Sequence, residues 1–141
     1  IFGPDEVKVE LMEIKAQTAP VLPNHVHFFS DKNQEMQQWY AKTFGAMPGR
    51  PTPDFVTASI PGIGLNFSPS ATPTAPTQGR AIDHIGFEVK NLEAFLTQLE
   101  AQGIKPTVTY RQVPALGLSI AFVTDPWGTS IELTEGGGKI Q

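Results

Sequence analysis

The chain repeats itself. "NHVHFFS" is followed by "DKNQEMQQWYAKTFG" and then by the β-like runs "FVTASI" and "IGLNFS". "DHIGFEV" is followed by "KNLEAFLTQLEAQG" and then by "TVTYRQ", "LSIAFVT" and "GTSIELTE". In the first copy Met36, Trp39, Tyr40 and Phe44 fall at i, i+3, i+4 and i+8, an apolar helix stripe. Leu92, Phe95, Leu96 and Leu99 make the same stripe in the second. Asp31 or Asn33 can cap the first helix and Gly45 end it; Asn91 and Gly103 suit the second. Each copy therefore reads strand, helix, then about three strands, with a period of roughly 60 residues. The expected fold is α+β: paired βαβββ modules forming a curved mixed sheet around a cup, with the helices outside.

The repeat also sets the domain plan. The modules span 24–70 and 80–135 of one domain, 24–141, joined by the Pro- and Thr-rich loop 69–79. Residues 14–23, "IKAQTAPVLP", read as a linker. The stretch "PDEVKVELME" resembles the last strand's "PWGTSIELTE", with Glu10 on Glu132 and Leu11 on Leu133. Residues 1–13 are accordingly expected to be the strand remnant of a preceding module, in a chain that was processed or truncated ahead of Ile1. Such a strand needs a sheet edge in this domain or in a second chain.

Composition narrows the partners. A net charge of −4 argues against nucleic acid, which demands a basic surface. No apolar run approaches the ~18 residues that span a membrane. Without cysteine there is neither disulfide nor thiol chemistry. The expectation is a soluble protein, cytoplasmic by default, with a small-molecule substrate and the option of a homodimer.

Side chains alternate across a strand. His25, His27 and Phe29 share one face of the first strand; His84, Gly86 and Glu88 share one face of its counterpart. Ser130, Glu132 and Thr134 oppose Ile131 and Leu133, and Gly64, Asn66 and Ser68 oppose Leu65 and Phe67. Each strand thus has an apolar face for a helix to cover and a polar face with one potential ligand. Aligned on their Pro-Gly and Pro-x-Gly turns, Asn66 matches Glu132. His25, Asn66, His84 and Glu132 are therefore expected to converge, and two imidazoles with a carboxylate suit a divalent metal. His27, on the same face as His25, is a candidate catalytic or supporting residue. Tyr110 and Arg111 are candidates for orienting an oxygen-rich or anionic substrate.

These motifs, in this order and spacing over residues 24–135, resemble the vicinal oxygen chelate superfamily, which includes glyoxalase I, methylmalonyl-CoA epimerase, extradiol dioxygenases and bleomycin-resistance proteins. The resemblance implies that His25, His84 and Glu132 hold a divalent metal (Fe, Mn, Ni or Zn). Glu132 is also a candidate catalytic group. The metal would act as a Lewis acid on two adjacent substrate oxygens, in lyase or isomerase-type chemistry. Two departures matter. Glyoxalase I has a glutamate where Asn66 stands, and an amide cannot be a general base. Extradiol dioxygenases carry a further His and Tyr, whereas here no His lies between His27 and His84 and the strand before Glu132 offers Phe122. Iron-dependent dioxygenation and non-catalytic drug binding are the alternatives the resemblance leaves.

Overall fold

Two compact units, Ile1–Thr74 and Ala75–Gln141, each carry one copy of the repeat. The computed structural model describes residues 1–3 and 7–139. Pro4, Asp5 and Glu6 of the self-similar N-terminal stretch, and Ile140 and Gln141 at the domain's end, lie outside the described residues.

In the first unit the order is β1 (His25–Ser30), α1 (Asn33–Phe44), β2 (Met47–Thr52), β3 (Phe55–Ile60) and β4 (Ile63–Pro69). The second contains β5 (His84–Glu88), α2 (Leu92–Ala101), β6 (Val108–Val113), β7 (Leu118–Thr124) and β8 (Ser130–Glu135), then a 3-10 turn at Gly137–Lys139. Each module makes a four-stranded mixed sheet, ordered β1-β4-β3-β2 and β5-β8-β7-β6. The fold is the α+β arrangement of βαβββ modules that the repeat predicts.

Short turns allow antiparallel pairing of the last three strands of each module. A parallel pair needs a crossover, and the helix supplies it: β1 lies parallel to β4 and β5 parallel to β8. The registers match. His25 stands opposite Gly64 and His27 opposite Asn66; His84 stands opposite Ser130 and Gly86 opposite Glu132. Asn66 and Glu132 are thus equivalent positions of one repeated frame.

The helices bury the apolar faces. Met36 and Tyr40 from α1 pack with Phe28, Val56, Leu65 and Phe67. The Phe28, Tyr40 and Phe67 rings lie 5.1–5.6 Å apart between centroids, within the range in which aromatic pairs attract. Trp39, at the edge of the stripe, is only half-buried. In the second unit Leu92, Leu96 and Leu99 cover Ala121, Val123, Ile131 and Leu133.

Three local features differ from the sequence-based expectation. Strand β2, "MPGRPT", carries two prolines and a glycine and gave no strand signal. It forms as the edge strand, with an irregularity between Gly49 and Thr52, where missing ladder donors are tolerated. At the start of α1 the N-cap is Lys32, and neither Asp31 nor Asn33 caps the helix. Buried Ser30 accepts the Lys32 N–H instead, at 3.0 Å, and Asn33 donates to the Phe67 carbonyl of β4. Glu135 was not singled out, yet its carboxylate accepts the Asn91 and Leu92 N–H groups, both at 3.1 Å, and ties α2 to β8. The expected Asn91 cap is present, accepting from the Ala94 N–H at 3.1 Å. Gly45 ends α1 in the left-handed region, at φ 67°. Gly103 follows the Gln102 cap of α2.

Turns fix the last strand. Buried Asp125 accepts the Trp127 and Thr129 N–H groups at 2.9 and 2.7 Å. Gly128 sits at φ 92°, and a Cβ there would come within 3.0 Å of Pro76. In the inter-module loop, Thr77 donates its N–H to the Gly128 carbonyl and its hydroxyl accepts from the Ser130 N–H.

Phe67 is fully buried and Phe29 is 57% exposed. Phe67→Ala is expected to lower unfolding stability by about 3–5 kcal/mol, and Phe29→Ala by less than about 0.5 kcal/mol. Urea denaturation of the two variants checks this; equal losses would contradict the assigned core face.

Candidate metal and substrate site

The polar sheet faces carry the groups the sequence singled out, and each unit has its own cluster. In the second unit His84 Nε2 lies 3.3 Å from Glu132 Oε2. The pairing follows from register. Glu132 is opposite Gly86, whose missing side chain leaves the carboxylate room to reach the neighbouring imidazole. The Phe122 ring stands edge-on to His84, with centroids 5.4 Å apart.

The other imidazole nitrogen is spoken for. His84 Nδ1 bonds Asp83 Oδ1 at 2.8 Å, and since a carboxylate can only accept, Nδ1 carries the proton. Asp83 also accepts the Gly79 N–H. That backbone bond first, and His84 second, hold the Asp83 carboxyl below its ordinary value. Nε2 is therefore the free nitrogen, and it faces a second carboxylate. In a neutral imidazole that places a lone pair against an anion, an arrangement that a proton or a cation between the two atoms relieves. A carboxylate–imidazole pair with its distal nitrogen directed at another ligand is the arrangement found around protein-bound divalent metals, so the donor set fits one.

Beside this pair is a cavity of about 710 Å³, lined by Glu88, Arg111, Leu118, Ile120, Glu132 and Thr134 among others. Val113, Leu116, Leu118 and Ile120 give it an apolar lining, and Arg111 and Glu132 bring opposite charges. Glu88 is tied down, accepting the Thr134 hydroxyl at 2.7 Å and the Gly136 N–H at 2.7 Å. Arg111 lines this cavity. Tyr110, the adjacent residue on β6, instead bonds the Ser119 hydroxyl at 3.0 Å.

In the first unit His25 is half-buried, its Nδ1 2.6 Å from Asn24 Oδ1. His27 Nδ1 is 3.3 Å from the Ser68 hydroxyl, and its Nε2 is 3.4 Å from Asn66 Nδ2. The two rings meet edge to face, with centroids 4.7 Å apart. Burial, and next the neighbouring His25, hold His27 below the ordinary imidazole value, with Glu10 opposing them. Glu10 is a residue that site reasoning missed. Its Oε2 lies 3.6 Å from His25 Nε2 and 3.8 Å from His27 Nε2. The signal was its alignment with Glu132. Asp83 and Asn24 were missed as well, although an acceptor residue directly precedes the first histidine of both modules.

Against known proteins, the sequence profile of the Glyoxalase/Bleomycin resistance protein/Dioxygenase superfamily matches residues 22–133. The chain belongs to that superfamily. No curated protein sequence matches it. Among solved structures it is similar to a glyoxalase family protein from Enterococcus faecalis, at 24% identity and a TM-score of 0.64, covering 79% of this chain and 94% of that one. It is also similar to the oxidase ChaP-H2 (18% identity, TM-score 0.62, 83% of this chain and 94% of that one). TioX from Micromonospora sp. ML1 is a third (16%, 0.63, 80% and 97%). At these identities the structural likeness speaks for the fold. Among the described residues, no helix is long and apolar enough to cross a membrane.

The Asp83–His84 bond makes a spectroscopic prediction. In ¹⁵N long-range NMR spectra near neutral pH, His84 Nδ1 is expected to be protonated. The preference should vanish in Asp83→Ala. An unprotonated Nδ1 in the unmodified protein would contradict the bond.

Proposed function

We propose that this superfamily member is a metal-dependent enzyme acting on a small substrate that presents two adjacent oxygens. The observation that carries the reading is the His84–Glu132 pair, with Asp83 behind His84 and Arg111 on the wall of the adjoining cavity. His84 and Glu132 are assigned as metal ligands, and the family pattern adds His25 as the further imidazole. A bound divalent metal would supply Lewis acidity toward the substrate oxygens.

The chain's own groups have distinct tasks in this reading. Asp83 orients the imidazole and holds the proton on Nδ1. Arg111 attracts an anionic or oxygen-rich substrate group, and its guanidinium can bind a carboxylate in bidentate fashion. Leu118 and Ile120 supply apolar surface to the cavity lining. Asn66 donates or accepts hydrogen bonds but moves no proton, because its amide does not titrate. In lyase or isomerase-type chemistry proton movement would therefore fall to a carboxylate such as Glu132 or to water.

The test is metal content and affinity for Fe(II), Mn(II), Ni(II) and Zn(II), measured on protein purified without chelators. In a Glu10→Gln/His27→Gln background, which removes the other His–carboxylate cluster, metal should bind near-stoichiometrically, and His84→Ala and Glu132→Ala should each abolish that binding while remaining folded by circular dichroism. Asp83→Asn should weaken affinity roughly 10–100-fold, the usual effect of losing a group that orients a ligand. Folded His84→Ala or Glu132→Ala variants that bind metal as tightly as that background protein would sink the ligand assignment.

A further inference from the structure

We propose that Glu10, His25 and His27 form a divalent-cation site contained within the first unit, in which the N-terminal segment supplies the carboxylate that β4 lacks. The proposal goes beyond the function above; the two share His25, whose remaining nitrogen, Nε2, serves one ion at a time.

The geometry comes first. One ligand atom from each of the three residues lies within 4.8 Å of the others, and the two contacts to Glu10 Oε2 are 3.6 and 3.8 Å. Ligands about 2.0–2.1 Å from a tetrahedral metal stand roughly 3.3 Å from one another. Closing the cluster around an ion therefore asks for shifts of a few tenths of an ångström at the two Glu10 contacts and for a larger approach, up to roughly 1.5 Å, between the two imidazole nitrogens.

The orientation of the rings is a second, separate observation. His25 is held through Nδ1 by Asn24 and His27 through Nδ1 by Ser68. Both Nε2 atoms are left facing Glu10. Histidine ligands are commonly fixed by a hydrogen bond on the far nitrogen, and here both have one. The Asn66 Nδ2 contact to His27 Nε2 is the one bond a cation would displace. It is long and lies on an exposed edge, so its loss costs little.

The repeat supplies a third argument. In the second unit the carboxylate beside the module's first histidine comes from Glu132, on the strand paired with it. In the first unit that position is Asn66, and the carboxylate at the equivalent histidine comes from Glu10, which aligns with Glu132 in the self-similar N-terminal stretch. Moreover, the first unit has His27 where the second has Gly86. The substitutions at these positions go together: the module without its own carboxylate has an added imidazole and borrows its acid. Two imidazoles and one carboxylate select a zinc-, cobalt- or nickel-type ion over magnesium or calcium, which prefer all-oxygen sites.

The experiment separates this site from the one above. Zn(II) and Co(II) alone are titrated into the full chain by calorimetry and against a chromophoric chelator, with the Co(II) visible spectrum recorded. The His84→Ala/Glu132→Ala double variant is expected to retain one equivalent of metal. In that background Glu10→Gln and His27→Gln should each weaken binding at least tenfold and change the Co(II) spectrum. Both positions are exposed, and circular dichroism confirms that the variants fold. Loss of all metal from the double variant would overturn this site while leaving the proposed function standing. Metal retained undiminished in Glu10→Gln or His27→Gln would also overturn it, as would a parent protein that takes up none. The Glu10 contacts would then be plain ion pairs.

Discussion

The placement of both candidate clusters depends on one constraint: the first strand of each module pairs in parallel with the last. That pairing is made by crossover, and it places the strands that carry the candidate site residues side by side at the sheet's end. Because side chains alternate with a period of two, a slip of one residue would send His84 and Glu132 to opposite faces. Buried Ile131, Leu133 and Val123 on the other face forbid the slip, since it would expose them together. The apolar core thereby holds His84 and Glu132 in register from the opposite face of the sheet.

Local electrostatics then refine what register delivers. Asn24 and Asp83 precede the first histidine of their modules and take the near ring nitrogen. Each imidazole is left with one direction in which to act, and in both units a carboxylate stands in that direction. The two clusters differ in how they get there. In the second unit the acid belongs to the sheet and is rigid; in the first it arrives on a segment outside the sheet, and Glu10 is about half exposed.

Much of this was legible in the residues. Both helix stripes, the alternating strands and the Asn66–Glu132 equivalence follow from periodicity and turn positions, because burial on one face leaves a mark on every second or every third and fourth residue. Strand β2 left no such mark. It is an edge strand whose Pro48, Gly49 and Pro51 resemble loop composition, and it owes its conformation to β3. The start of α1 misled for a different reason: two residues of good capping type were present, but Ser30 and the β4 carbonyl competed for the same contacts. At the site, strand alternation indicated the faces of His25, His84 and Glu132. It could not show that Glu10 reaches both imidazoles, since that segment has no sheet to fix its direction. Tyr110 and Arg111, taken together in the sequence, part company in space as neighbours on a strand must, one bonding Ser119 and the other lining the cavity.

The crossover pairing also imposes an order on synthesis. As the chain leaves the ribosome, β2, β3 and β4, like β6, β7 and β8, can join their sequence neighbours as each hairpin is completed. Strands β1 and β5 emerge first in their modules yet have no partner until the last strand is out. Contacts between distant parts of a chain bear the greater loop-closure entropy and form later. In each unit the sheet edge that displays the histidines is thus the last to be zipped into place, and a nascent module shows no assembled His–carboxylate pair on its sheet until its fold is finished.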